Sequence, residues 1–135
     1  MQNNKLNDGN SIPAIGFGVF LVEPNGPTYE AVKEAIKAGY RHIDTAAAYF
    51  NEEDVGKAVR DSGVSREEMF ITSKLWLQDY GYEAAKKGVD ASLQKLGVTD
   101  IKQSFPEETV TLNGEDITPM VREAWEWLIA HSFAM

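Results

Sequence analysis

The chain has 135 residues, enough for one domain with a single sizeable hydrophobic core. It is 43% hydrophobic and 25% charged, which argues against intrinsic disorder, and its net charge of −8 with a pI near 4.7 speaks against a nucleic-acid surface or a polybasic membrane patch. The absence of cysteine excludes a disulfide scaffold, a thiolate zinc site and a thiol nucleophile, and with only two histidines, His42 and His131, no metal centre is expected. No apolar run is long enough to span a membrane and the polar start lacks a signal core, so the expectation is a cytoplasmic protein.

The N-terminal segment reads as a hairpin. Asp8-Gly9 is a turn signal, and apolar residues resume at Ile12. Residues 14–19 form a short apolar run, and Gly16 and Gly18 within it signal a bend or a close approach of a ligand to the backbone. Residues 28–38 follow as a helix with Val32, Ala35 and Ile36 on one face, Pro27 at its start and Gly39 after its end. A second strand is predicted over residues 40–44. A second helix covers 51–62, with Asn51 as its cap, Glu52, Glu53 and Asp54 in its first turn, and Gly63 beyond it. Ser65 and Glu68 have capping-box spacing for one short turn. Residues 69–73 make the third strand. Residues 82–96 make the third helix, with Ala85, Val89, Leu93 and Leu96 in a stripe and Gly97 as its stop.

Strands alternating with helices imply βαβ units and a parallel sheet. Asp44, Tyr49 and Lys74 then fall at or just beyond the C-terminal ends of strands, the face that carries active sites in a (β/α) barrel. Periodicity alone does not separate a barrel from an open doubly wound sheet, although no G-x-G-x-x-G run follows a strand. The three residues have a chemistry in common. A phenol of pKa about 10 is a poor acid at neutral pH, and a nearby ammonium favours its ionised form. A carboxylate beside that ammonium would orient it. Tyr49, Lys74 and Asp44 are therefore a candidate general acid with its tuning pair. Each also has an ordinary reading: an aspartate as turn residue, a tyrosine as packing, a lysine as a solvated charge.

The stretch from Gly39 to Gly56, with Arg41-His42-Ile43-Asp44-Thr45 and Tyr49-Phe50-Asn51-Glu52, resembles the signature of the aldo-keto reductases. So do Phe70-Ile71-Thr72-Ser73-Lys74-Leu75-Trp76, the Leu6 to Gly9 turn, Ile12-Pro13 and Gly16-Phe17-Gly18. The resemblance implies a partial (β/α)8 barrel, its N-terminal βα units preceded by a hairpin. It implies NADP(H)-dependent reduction of small aldehydes and ketones. Asp44, Tyr49 and Lys74 would be three of four catalytic residues, with Tyr49 as proton donor. Gly18, Val19, Phe20 and Asp44 would meet the cofactor, and Phe20, Tyr49 and Trp76 the substrate.

The resemblance stops near Ile101. The fourth catalytic residue of the family, a histidine after the fourth strand, has no counterpart in Lys102-Gln103-Ser104-Phe105-Pro106. A full barrel takes about 250 residues. The expectation is therefore a truncated barrel over residues 1–101 with weak or no activity, and an unrelated-looking tail over 102–135. In the tail, 109–112 reads as a strand, Asn113-Gly114 as a turn, and 118–131 as an amphipathic helix. The alternative is a non-catalytic barrel fragment that folds alone or assembles with another chain. Self-association through the exposed sheet edge is expected, without nucleic-acid or membrane partners.

Overall fold

The computed structural model describes residues 2–6, 9–98, 111–112 and 115–116. Strands β1 (Asn3–Lys5) and β2 (Ser11–Pro13) pair antiparallel, with Asn4 opposite Ile12. Gly9 takes a φ of +87° and donates its N–H to the Leu6 carbonyl at 3.1 Å, which closes the turn.

Strand β3 (Phe17–Gly18) is shorter than residues 14–19 predict. Its two residues pair parallel with β4 (His42–Asp44), Phe17 opposite Ile43 and Gly18 opposite Asp44. Upstream, Gly16 lies so close to His42 that a Cβ would sit 2.7 Å from the ring nitrogen Nδ1. Downstream, Val22 donates back to the Val19 carbonyl at 3.2 Å and Leu21 adopts a φ of +60°, so the chain turns instead of extending. Strand β5 (Phe70–Thr72) continues the sheet on the other side of β4, also parallel. The order β3-β4-β5 is what βαβ alternation predicts.

Three helices connect and follow these strands: α1 (Pro27–Lys37), α2 (Glu52–Asp61) and α3 (Tyr82–Leu96). Gly97 ends α3 with a left-handed φ of +66°. The predicted capping box at Ser65 and Glu68 is a 3-10 turn over Arg66–Glu68 without a side-chain cap; the Glu68 N–H instead donates to the Ser65 carbonyl at 3.1 Å.

Alternation along β4 decides the layering. Ile43 is fully buried, while its neighbours His42 and Asp44 are only partly so. Ile43 joins Val19, Val32, Ile36, Val55, Ala58, Val59, Met69 and Leu96 in one core. Each large side chain there contributes about 1.5–3 kcal/mol through burial. Gly56 lets α2 approach α3, because a Cβ at that position would collide with the backbone of Leu96.

Strand β6 (Thr111–Leu112) pairs antiparallel with β7 (Glu115–Asp116), which agrees with a strand ending at residue 112. The Asn113-Gly114 turn, the helix expected over 118–131 and His131 lie outside the described residues. No described helix is long and apolar enough to cross a membrane.

Candidate functional site

The parallel order brings the ends of β3, β4 and β5 to one side of the sheet. Asp44 is the last residue of β4, and Lys74 lies two residues beyond β5. Tyr49 ends a 3-10 turn over Ala47–Tyr49. Two backbone bonds hold the segments together past the strands: Thr45 N–H to the Thr72 carbonyl at 2.8 Å, and Ala47 N–H to the Lys74 carbonyl at 3.1 Å.

The Lys74 ammonium is fixed at two points. Nζ donates to Asp44 Oδ1 at 2.7 Å and to the Thr45 carbonyl at 2.9 Å. It also lies 5.4 Å from the centroid of the Tyr49 ring, in cation–π range. The three predicted residues therefore meet. Among the described residues, the contact between Lys74 and Tyr49 runs through the ring, with no hydrogen bond to the hydroxyl. The pair is open to water, with side-chain exposures of 49% for Lys74 and 35% for Asp44, so it adds at most about 1 kcal/mol to stability.

Phe20 packs on Tyr49 with ring centroids 5.0 Å apart and an interplanar angle of 52°, yet remains 64% exposed. Trp76 is 38% exposed. A Cβ placed on Gly18 would meet nothing within 4 Å, so the end of β3 borders open space. Val19, expected beside the cofactor, faces the other way. Its side chain is fully buried in the helix-facing core, and its N–H and carbonyl are both bonded within the protein.

Behind the exposed residues lie two that are 99% buried, Asn51 and Glu52. Asn51 does not cap α2 with its side chain, although the sequence predicts a cap there. Its Oδ1 accepts from Thr45 Oγ1 at 2.9 Å, and its Nδ2 donates to the carbonyls of Val19 and Val22 at 3.0 and 3.1 Å. Glu52 is likewise more than a first-turn acid. Ser73 Oγ donates to its Oε1 at 2.5 Å, Ser92 Oγ donates to Oε2 at 3.2 Å, and Lys95 Nζ is 3.9 Å away. Sequence reasoning missed Thr45, Asn51, Glu52 and Ser73. The available signal for Thr45 and Ser73 was their position, beside Asp44 and Lys74; Asn51 and Glu52 carried only the local signals of a helix start.

His42 sits two residues before Asp44 and shares a 2.9 Å hydrogen bond between Nε2 and Thr72 Oγ1. Burial lowers its pKa from 6.5; Lys74 adds to that and Asp44 opposes it. No group of three or more potential metal ligands occurs among the described residues.

A model of the aldo/keto reductase family matches residues 15–105, which include β3, β4, β5 and every residue of the site. The chain belongs to the aldo-keto reductase family. It is 56% identical over 93 residues to an aldo-keto reductase from Mycolicibacterium smegmatis, covering 69% of this chain and 34% of the relative. It is 53% identical over 92 residues to glyoxal reductase from Bacillus subtilis, covering 68% and 33%. The chain thus spans about a third of the length of the curated relatives it matches. Among solved structures, an aldo-keto reductase from Brucella melitensis superposes with a TM-score of 0.71 at 52% identity, over 75% of this chain and 39% of that one. A Bombyx mori aldo-keto reductase in complex with NADP gives 0.72 at 31% identity, over 93% and 47%. The fold is accordingly the N-terminal portion of an aldo-keto reductase (β/α)8 barrel.

Proposed function

We propose that this aldo-keto reductase chain carries the proton-donor side of a site for NADP(H)-dependent reduction of small aldehydes and ketones to alcohols. The observation that carries the reading is the fixed ammonium: Lys74 Nζ, bound to Asp44 and the Thr45 carbonyl, lies against the ring of Tyr49.

The residues present fit a flat nicotinamide ring. Gly18 leaves the end of β3 open, Phe20 two residues on offers exposed aromatic surface, and Trp76, four residues beyond β5, is partly exposed as well. Gly18, Phe20 and Asp44 would hold the ring, and Phe20, Tyr49 and Trp76 the substrate. When bound, the cofactor supplies the hydride. Tyr49 donates its phenolic proton to the carbonyl oxygen as negative charge develops there. Lys74 stabilises the charge left on the phenol oxygen, and Asp44 keeps the ammonium in place. The fourth catalytic residue of the family has no counterpart among the described residues. Two relatives support the chemistry by name, since one is a glyoxal reductase and the other binds NADP.

The second reading is a non-catalytic barrel fragment, and the exposure of Phe20 favours it. NADPH consumption by the purified chain with a panel of aldehydes and ketones separates the two. Turnover that Tyr49→Phe removes supports the enzyme. A wild-type rate equal to the protein-free blank supports the fragment.

A further inference from the structure

Two adjacent buried polar residues, at the cap and first turn of α2, reach in different directions. Asn51 ties the loop after β3 to the segment after β4, through the Val19 and Val22 carbonyls on one side and Thr45 Oγ1 on the other. It also donates to Thr28 Oγ1 at 3.3 Å, and Thr28 in turn donates to the Val22 and Glu23 carbonyls. The same loop carries Phe20, which packs on Tyr49. Glu52 grips Ser73, the residue before Lys74, and anchors it to Ser92 of α3.

We propose that Asn51 and Glu52 are positioning residues with divided roles: Asn51 sets the Phe20 loop against Tyr49, and Glu52 sets the backbone that presents Lys74. The proposal rests on the functional reading above only for its catalytic meaning; the division itself is a property of the folded chain. Two features favour positioning over simple core filling. Leucine would fill either space without burying polar atoms, and buried polar groups are costly unless fully paired. Every bond that Asn51 makes to a backbone carbonyl also goes to the loop flanking Phe20.

The test is nuclear magnetic resonance of the full chain without cofactor or substrate. The Phe20 loop is read from Phe20–Tyr49 ring cross-peaks and from hydrogen exchange at the Val19 and Val22 amides. The Lys74 segment is read from cross-peaks between Lys74 and the Tyr49 ring and from the Ala47 amide, which donates to the Lys74 carbonyl. Asn51→Leu is expected to speed exchange at Val19 and Val22 by about tenfold or more, and to change Ala47 by less than about threefold. Glu52→Leu should give the reverse pattern, and Glu52→Gln, which keeps an acceptor for Ser73, should restore Ala47. Val59→Ala, a core change that removes no bond of either network, controls for global loosening. If a leucine variant fails to fold, Thr45→Val and Ser73→Ala each remove one bond and are read in the same way. Both signal sets moving together as in Val59→Ala, or neither moving, would overturn the proposal. Absent turnover with the crossed pattern intact would instead count against the functional reading alone.

Discussion

The two faces of the β3-β4-β5 sheet differ in how they are covered. The face toward the helices is closed, with Val19, Val32, Ile43 and Val55 fully buried. The opposite face, with His42, Asp44, Thr72 and Lys74, is only partly covered, and Phe20, packed on Tyr49 beside it, is exposed. Parallel strands ordinarily need cover on both faces. The contrast separates what folds this chain from what the proposed chemistry would use. Helix packing on one face supplies the core. The other face holds the charged site, where water screens each interaction.

The largest expected effect concerns the open face. Hydride transfer needs the nicotinamide at near-attack distance, and such positioning is worth several kcal/mol. This chain is expected to turn over NADPH and a reactive aldehyde at least about a thousandfold more slowly than a full-length relative assayed alongside. A comparable rate would mean that the open face is completed in solution, and sedimentation would show whether a second copy does it.

Next in size is the closed face. Ile43→Ala is expected to cost about 2–5 kcal/mol in urea unfolding, whereas Phe20→Ala on the open rim should cost less than about 1 kcal/mol. Equal costs would erase the distinction between the faces. Gly56→Ala tests the closed side by overpacking. The added methyl meets the Leu96 backbone, so a loss of about 1–3 kcal/mol is expected.

Asp44→Asn should leave stability within about 1 kcal/mol of wild type, because the ion pair is half-exposed. It should nonetheless abolish any measurable turnover, since Lys74 loses its charged partner. The smallest effect is the pH response of His42. Its pKa is lowered by burial, so the folded chain binds this proton more weakly than the unfolded chain does. The resulting stability is fully present above pH 6.5, the ordinary histidine value, and is lost as pH falls below it. His42→Gln should flatten that slope in melts taken between neutral pH and about pH 5.

Helices were legible because their signals are local. Val32, Ala35 and Ile36 share a face by spacing, and the α3 boundaries at Tyr82 and Leu96 follow from a stripe with a glycine stop. Strand lengths were less so. Whether residues 14–16 join the sheet depends on how closely Gly16 approaches His42, which is a tertiary fact. The meeting of Asp44 with Lys74 was readable once both were placed at strand ends. The roles of Asn51 and Glu52 were not. Local rules assign an asparagine before a helix to capping and a glutamate in its first turn to the helix dipole. Here distant carbonyls and hydroxyls capture both side chains. Val19 shows the converse: it lies between two residues that face the open end, yet its side chain turns into the core.

In the proposed reaction Tyr49, backed by Lys74 and Asp44, donates the proton to the carbonyl oxygen. The most direct measurement incubates the purified chain with a reactive aldehyde and NADPH deuterated at the transferable position, then analyses the alcohol by mass spectrometry. Slow turnover still accumulates product. The expected result is deuterium on the alcohol carbon, above the protein-free blank, that disappears in Tyr49→Phe. Labelled alcohol formed equally by Tyr49→Phe, or none formed by the wild-type chain, would rule out Tyr49 as the proton donor.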